Sequence, residues 1–574
     1  MRKVISIILL SCILTGCGAK NAAPLNNVTD TGAQTDSSDI ATDSGTQAEA
    51  SGIAADAGAQ SETSDDTADA GFAYVPNIID DNYRNYYEIF VASFYDSDGD
   101  GCGDLKGVED KLDYITDLGC NGIWLMPVMS APSYHKYDTD DYYLIDPSYG
   151  TNDDFKSLAD ACHDKGVKLI IDMVINHSSS EHPWFTEACE YLRGLPGGEE
   201  PDSAKCPYVE YYHFSKEKIS AAYCEVPDSN WYYEAVFNYT QPDLNLDNPD
   251  VVNELYNVAD YWMDLGCDGF RMDAVMHFDE TDSASNIDFL HDYYEHCKEK
   301  DPDVYMVSEV WASEKDITAY YKSLTPSFFN FDVADAEGKL IKAGRGKLNA
   351  SKFVRTCAGY ADTYGSVNPD YIDAPFITNH DMGRVANVVQ SNLTDLKMTA
   401  GLLLSMNGSP FIYYGEEIGM KSKGKADENK RLHMNWSGTD TTGICKDPAG
   451  ADIDIKQSLP AADEQMTDPE SLYNYYKEAL AIRNAYPEIA RGNIEIIEDL
   501  TAENIAVITK TWDDSAIAVV YNTGDEPATV DISGITGMPS GDLKIVGALY
   551  AADKGISLHN TELLIPGRSI IYLK

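Results

Sequence analysis

Gly269-Phe270-Arg271-Met272-Asp273-Ala274-Val275 decides the fold. A short apolar run carries Arg271 and Asp273 two residues apart, so on a strand both point to one face, and the acid stands where the run ends. Seven further runs share this form: 88–94 (EIFVASF), 122–128 (GIWLMPV), 168–177 (KLIIDMVINH), 304–311 (VYMVSEVW), 327–333 (SFFNFDV), 375–381 (PFITNHD) and 409–417 (SPFIYYGEE). Longer segments of helical period separate them, the pattern of a parallel sheet with crossover helices. Eight strand–helix units predict an α/β fold, a (β/α)8 TIM barrel.

Working outward, barrel strands aim their C-terminal ends at one active site. The third run ends in Asn176-His177, the fifth carries Glu309-Val310-Trp311 and the seventh Asn379-His380-Asp381. Three carboxylates, Asp273, Glu309 and Asp381, therefore converge beside Arg271, His177 and His380. With no Ser or Cys nucleophile motif, this set suits glycosidic cleavage, in which one carboxylate attacks carbon and a second donates and then abstracts the proton. Arg271 is expected to hold Asp273 ionised, and Glu309 to need a raised pKa to serve as the acid. Trp311 is read as packing beneath the site.

The third and fourth runs lie about 90 residues apart, and 178–239 is rich in Tyr, Pro and Gly. The expected organisation is a first barrel part (73–177), an inserted domain B (178–239), a second barrel part (240–491) and a C-terminal antiparallel β-sandwich, domain C (492–574). Upstream, Arg2 and Lys3 precede an apolar run ending in Leu14-Thr15-Gly16-Cys17. That pattern looks like a bacterial lipoprotein signal over 1–17, which implies a signal peptide with a lipid on Cys17. Residues 18–72 are acidic and poor in apolar side chains, which predicts a disordered tether. A lipid-anchored monomer on a bacterial cell surface is the expected form, its only membrane contact through that anchor.

The net charge of −53 excludes non-specific nucleic-acid binding. The 38 Tyr suit a ligand with apolar faces and hydroxyl rims, as sugars have. Past Cys12 and Cys17 the ten remaining cysteines form no CxxC pair, so no zinc or iron–sulfur site is indicated; Cys206 and Cys224 make the shortest plausible disulfide loop. Asp96-Ser-Asp98-Gly-Asp100-Gly-Cys102-Gly-Asp104 follows the first run, with acids at positions 1, 3, 5 and 9 of a calcium-type loop but Gly107 at position 12. Four acids so close repel one another without a cation.

The segments DMVINH, GFRMDAVMH, SEVW and FITNHD resemble the four signature regions of the alpha-amylase family, glycoside hydrolase family 13; QPDLN (241–245) is similar to a further region as found in its oligo-1,6-glucosidase branch. Ser308 departs from the Gly common before the Glu. The resemblance implies Asp273 as nucleophile, Glu309 as acid/base and Asp381 as transition-state stabiliser. It places His177, His380 and Arg271 around the cleaved sugar, and implies calcium held by Asp96, Asp98, Asp100, Asp104 and the Cys102 carbonyl. A second calcium site of the family would use the position of Asn176. Exo-acting members close their pocket with a salt bridge from an Asp to an Arg at the position of Arg431. Here Tyr134 stands for that Asp within Tyr134-His135-Lys136-Tyr137, a pattern similar to amylases, as are Ala274 and His277. The implied activity is internal cleavage of alpha-1,4-glucosidic bonds in an alpha-glucan such as starch. The alternatives are an exo-acting glucosidase, a transglycosylase and a non-enzymatic carbohydrate-binding lipoprotein.

Overall fold

A computed structural model describes residues 72–574, apart from 453 and 539–541. The signal peptide, Cys17 and the tether up to residue 71 lie outside the described residues. Phe72, assigned above to the tether, packs against the core of the C-terminal sheets. No helix among the described residues is long and apolar enough to cross a membrane.

Seven parallel strands form the central sheet: β1 (Tyr86–Ile89), β2 (Gly122–Leu125), β3 (Lys168–Met173), β4 (Gly269–Met272), β5 (Tyr305–Ser308), β6 (Ser327–Phe328) and β7 (Phe411–Tyr413). Their order is β6-β5-β4-β3-β2-β1-β7. The run at 375–381, expected as a strand, is not one. Its strand-type pairing with its neighbours is confined to single parallel bridges, Phe329↔Ala374 and Phe376↔Phe411. Those two bridges span the gap between β6 and β7, so the segment still closes the barrel. Strands β1 to β6 also stop short of the apolar runs that predicted them, leaving the polar residues in the loops just beyond.

Side chains fill the barrel in layers, as in a packed core. Near the strand starts Tyr86 stacks between Tyr305 and Phe411, with ring centroids 5.1 and 4.7 Å away. Two residues further along β1, Glu88 belongs to the layer above. There the parallel register sets Asp172 of β3 beside Arg271 of β4. Gly269 is required at the start of β4, because a Cβ there would lie 1.8 Å from the Tyr305 carbonyl oxygen. Helices with apolar inner faces cover the strands. Asn152–Asp164 is started by a Thr151 capping box with Asp154, and Pro249–Asp264 by Asn248 with Pro249 in its first turn.

Between β3 and β4 the chain forms a helix, Pro183–Gly194, and a small antiparallel sheet of Phe214–Ser215, Tyr223–Glu225 and Tyr232–Glu234. An isolated bridge from His177 to Asp243 ties its exit back to the end of β3. After residue 492 come two antiparallel sheets of five and three strands around their own core of Val507, Val520, Leu563 and Ile571. Buried Lys510 fixes this part to the barrel by donating to the Ser405 and Ile489 carbonyls, each at 2.7 Å.

Candidate active site

Asp273 follows β4 directly and Glu309 follows β5; their backbone N–H groups continue the ladder to Met173 and Met272. Arg271 joins them. Its Nη1 donates to Asp273 Oδ1 at 2.5 Å and to Asp172 Oδ1 at 2.7 Å, and its Nη2 pairs with Glu309 Oε2 at 3.0 Å. Ala274 adopts the left-handed region at φ 51°, a conformation that costs a side-chain-bearing residue about 1 kcal/mol. Its N–H donates to Glu309 Oε2 at 3.1 Å. Backbone strain and a buried guanidinium thus fix both acids on one side of the cleft.

Asp381 is held differently. His380 Nε2 lies 3.0 Å from Asp381 Oδ2, Arg431 Nη2 donates to Asp381 Oδ1 at 2.8 Å, and His380 Nδ1 donates to Glu88 Oε1 at 2.6 Å. Burial works against charge on the His380 ring, but Asp381 and Glu88 overcome it and lift His380 to about 9. Burial likewise favours a neutral Asp381, yet His380 and Arg431 hold it well below the usual carboxylate range. Tyr137 links the two halves: its hydroxyl donates to Asp172 Oδ2 at 3.1 Å and lies 2.7 Å from His380 Nε2.

Arg271 lowers the Asp273 carboxyl, as its charge should, but does not act alone. Burial outweighs the guanidinium and pushes the Asp273 carboxyl up. Glu309 rises as expected, from burial and then from the charge of Asp273. Asp172 is raised to about 7, chiefly by burial. Three acids share one cation here, and Arg271 cannot neutralise all of them.

These groups open into a cavity of about 450 Å³ lined by His135, Tyr137, His177, Phe237, Gln241, Asp273, Ala274, Met276, His277, Glu309, Trp311, Asp381, Asp427 and Arg431. His177 Nε2 donates to the Tyr137 carbonyl at 2.9 Å, and burial lowers the ring to about 4, so it is neutral. His135 is also lowered to about 4 by burial. The His277 ring pairs with Glu280. Tyr134 does not line the cavity; Arg431 lies 5.8 Å from its ring centroid and donates to its hydroxyl at 3.4 Å. Trp311 is not packing beneath the site. It is 51% exposed, lines the cavity and stacks on Phe331 at 5.1 Å. Phe237, 47% exposed, comes from the insertion and Gln241 from just after it; neither was singled out by sequence, although Gln241 opens the QPDLN segment. A larger groove of about 950 Å³ holds none of the three acids, and Lys111 covers its Tyr95 and Trp436 rings at 4.1 and 4.4 Å.

In the 96–104 loop, side-chain oxygens of Asp96, Asp98 and Asp104 lie within 4.8 Å of one another. Asp100 falls outside that group, its carboxylate accepting the Cys102 N–H at 2.6 Å, and the Cys102 thiol is outside it too. An all-oxygen donor set of this kind fits a hard divalent cation. Asn176 donates its side-chain amide to Asp243 at 3.3 Å. Cys206 and Cys224 are free thiols rather than a disulfide.

Three acids grouped at the mouth of such a barrel suit the chemistry of a glycoside hydrolase. Residues 88–492 match the family model described as alpha amylase, catalytic domain, and the chain belongs to the alpha-amylase family. It is 38% identical over 455 residues to "Alpha-amylase 3" of Dictyoglomus thermophilum, covering 77% of this chain and 85% of the relative. It is 26% identical over 528 residues to "Oligo-1,6-glucosidase" of Heyndrickxia coagulans, covering 78% and 92%. Among solved structures, "Eubacterium rectale Amy13B" superposes with a TM-score of 0.83 at 43% identity, covering 87% of this chain and 97% of that one.

Proposed function

We propose that the protein is a retaining, endo-acting alpha-amylase that cleaves internal alpha-1,4-glucosidic bonds of starch and maltooligosaccharides. The observation that carries the chemistry is Arg271, which binds Asp273 and Glu309 through the two ends of one guanidinium. One cation shared by the two carboxylates keeps them close, as a retaining pair requires. Asp273, with the shorter contact to Arg271, attacks the anomeric carbon. Glu309, raised in part by the charge of Asp273, donates its proton to the departing glucosidic oxygen, then takes one from the water that releases the sugar. Asp381 stays anionic between His380 and Arg431 and stabilises the positive charge that develops on the sugar ring. Tyr137, His135, His177, His277 and Arg431 line the cavity where they can bind sugar hydroxyls, while Tyr134 acts through Arg431.

Endo action is supported by the rim. Arg431 is engaged by Asp381 and the Tyr134 hydroxyl, and Asp427 by Lys430 at 2.7 Å, so neither forms a salt bridge across the cleft. Exposed Trp311 and Phe237 offer stacking faces for further sugar units. An exo-acting reading is favoured only by Gln241 and the acidic loop, the two features similar to the oligo-1,6-glucosidase branch. Calcium, if held by Asp96, Asp98 and Asp104, would neutralise the loop and take no part in the chemistry. Anchoring through Cys17 would present the enzyme on a bacterial cell surface. The chain enters beside the strand starts, where Asn85 bonds to Asn121 and Asn484, at the opposite end of the barrel from the acids. Proton NMR of maltooligosaccharide digestion tests the mechanism: the alpha anomer appears first if configuration is retained, and initial beta product removes Asp273 as nucleophile.

A further inference from the structure

We propose that Glu88, an acid of β1 inside the barrel, is a positioning residue for the reaction: it grips the Nδ1 side of His380 and so turns the Nε2 side onto Asp381, a role that rests on the reading of Asp381 as the transition-state stabiliser. His380 is fully buried and does not line the cavity, so it reaches the chemistry through a neighbour. Its Nδ1 donates to Glu88 Oε1 at 2.6 Å, and its backbone N–H lies 3.4 Å from the same oxygen. On the other side Nε2 lies 3.0 Å from Asp381 Oδ2 and 2.7 Å from the Tyr137 hydroxyl. That hydroxyl already donates to Asp172, so it accepts from the ring. With Glu88 ionised, every partner of both ring nitrogens is an acceptor, an arrangement that only a ring carrying both protons can fill.

The parallel register sets Glu88 between Trp124 of β2 and Tyr413 of β7, where it is 1% exposed. A buried carboxylate needs a counter-ion, and among the described residues His380 is its ion-pair partner. Burial raises the Glu88 carboxyl, and the hydrogen bond and charge of His380 pull it back, with help from Arg271. Other charged groups surround the pair. Asp172 and Asp273 both feel the charge of the ring and favour it. Arg431, whose Nε donates to the His380 carbonyl at 3.3 Å, and Arg271 oppose it. Trp124 meets the ring edge-on at 5.7 Å and Tyr137 stacks on it at 5.6 Å, so the imidazole cannot turn without moving both.

Removing the charge of Glu88 while keeping its shape separates these effects. A neutral ring holds one proton, and which nitrogen carries it is set by the partner of the other. With the proton on Nδ1, Nε2 turns a lone pair toward the Asp381 carboxylate, and Asp381 loses the donor that fixes it. The charge of Asp381 matters most as the sugar ring becomes positive, so the loss falls on kcat rather than on KM.

Steady-state kinetics of Glu88→Gln, with isotope-edited NMR of the full chain labelled at its histidine rings, tests this. The His380 signal is identified by its loss in His380→Gln. In the unsubstituted chain the ring should be cationic at neutral pH and titrate near 9. In Glu88→Gln its midpoint should fall toward the ordinary histidine value, with kcat lower by about 10–100-fold, the range found for carboxylates that orient a histidine at metal sites, KM changed little and unfolding still cooperative. In a His380→Gln background Glu88→Gln should cause no further loss. A His380 ring that is neutral at neutral pH in the unsubstituted chain, a result that needs no variant of Glu88, overturns the proposal. So does an unmoved titration in Glu88→Gln, an unchanged kcat, or losses that multiply in the double variant. Activity above a few percent in Asp381→Asn would instead strike the reading of Asp381, and with it this role for Glu88.

Discussion

At Arg271 one guanidinium faces Asp172, Asp273 and Glu309, and among the described residues its Nε has no hydrogen-bond partner. A buried cation requires anions, but three acids around one charge exceed what it can neutralise, so burial leaves protons within the group. That surplus keeps Glu309 available as an acid. Asp273→Asn and Glu309→Gln should each lower kcat by at least about 10³-fold while thermal unfolding remains cooperative. Steady-state kinetics with a melting curve checks this, and activity above a few percent in either variant would be a failure. The three acids, Arg271, His177 and His380 were all legible in sequence, because each short apolar run ends in polar residues that the barrel gathers at one mouth. Trp311 was not. The chain leaves the barrel immediately after Glu309, so Val310 turns inward and Trp311 out, a change of direction that strand periodicity cannot foretell. Phe237 was missed because it sits in an irregular segment with no period at all.

Among the elements, the 374–376 segment shows where pattern reading stops. Its apolar residues look like those of any barrel strand, yet only Ala374 and Phe376 bridge to neighbours before Asn379, His380 and Asp381 turn into the cleft. The acidic loop gives a second element-scale test. A cation binding only the folded form raises its stability, so calcium should raise Tm and EDTA should lower it. Asp98→Asn should shrink that response, since Asp98 belongs to the group of three. Differential scanning calorimetry with and without calcium reads the result. Glu416, just beyond β7, is buried, and among the described residues the Tyr476 and Thr378 hydroxyls are its side-chain donors. Burial raises it to about 8. The folded state therefore keeps a proton that the unfolded chain releases near pH 4.5. This contribution is fully present below that value and is lost as pH rises to about 8. Glu416→Gln should flatten the fall in Tm between pH 5 and 8, a loss of roughly 3 kcal/mol in the unsubstituted protein; an unchanged slope would show that Glu416 ionises at its ordinary pKa.

For the whole molecule, the described body from residue 72 follows a segment read in sequence as signal, lipid-bearing cysteine and acidic tether. Phe72 packs on the core of the C-terminal sheets, and Tyr74 on the main core, its hydroxyl donating to Glu478 at 2.7 Å. Cys17→Ala should move the enzyme from the membrane fraction to the soluble fraction, and unchanged fractionation would count against the anchor. Display outside the cell suits a polymer too large to be imported whole, which must first be cut internally. The central claim is that this cleft admits a chain on both sides of the bond it breaks. Amylose digestion followed by iodine staining and reducing-end release measures that most directly. Endo cleavage predicts that staining collapses while few reducing ends have formed and that the first products are mixed maltooligosaccharides. Staining that falls no faster than reducing ends appear, with glucose as the sole product, would contradict it.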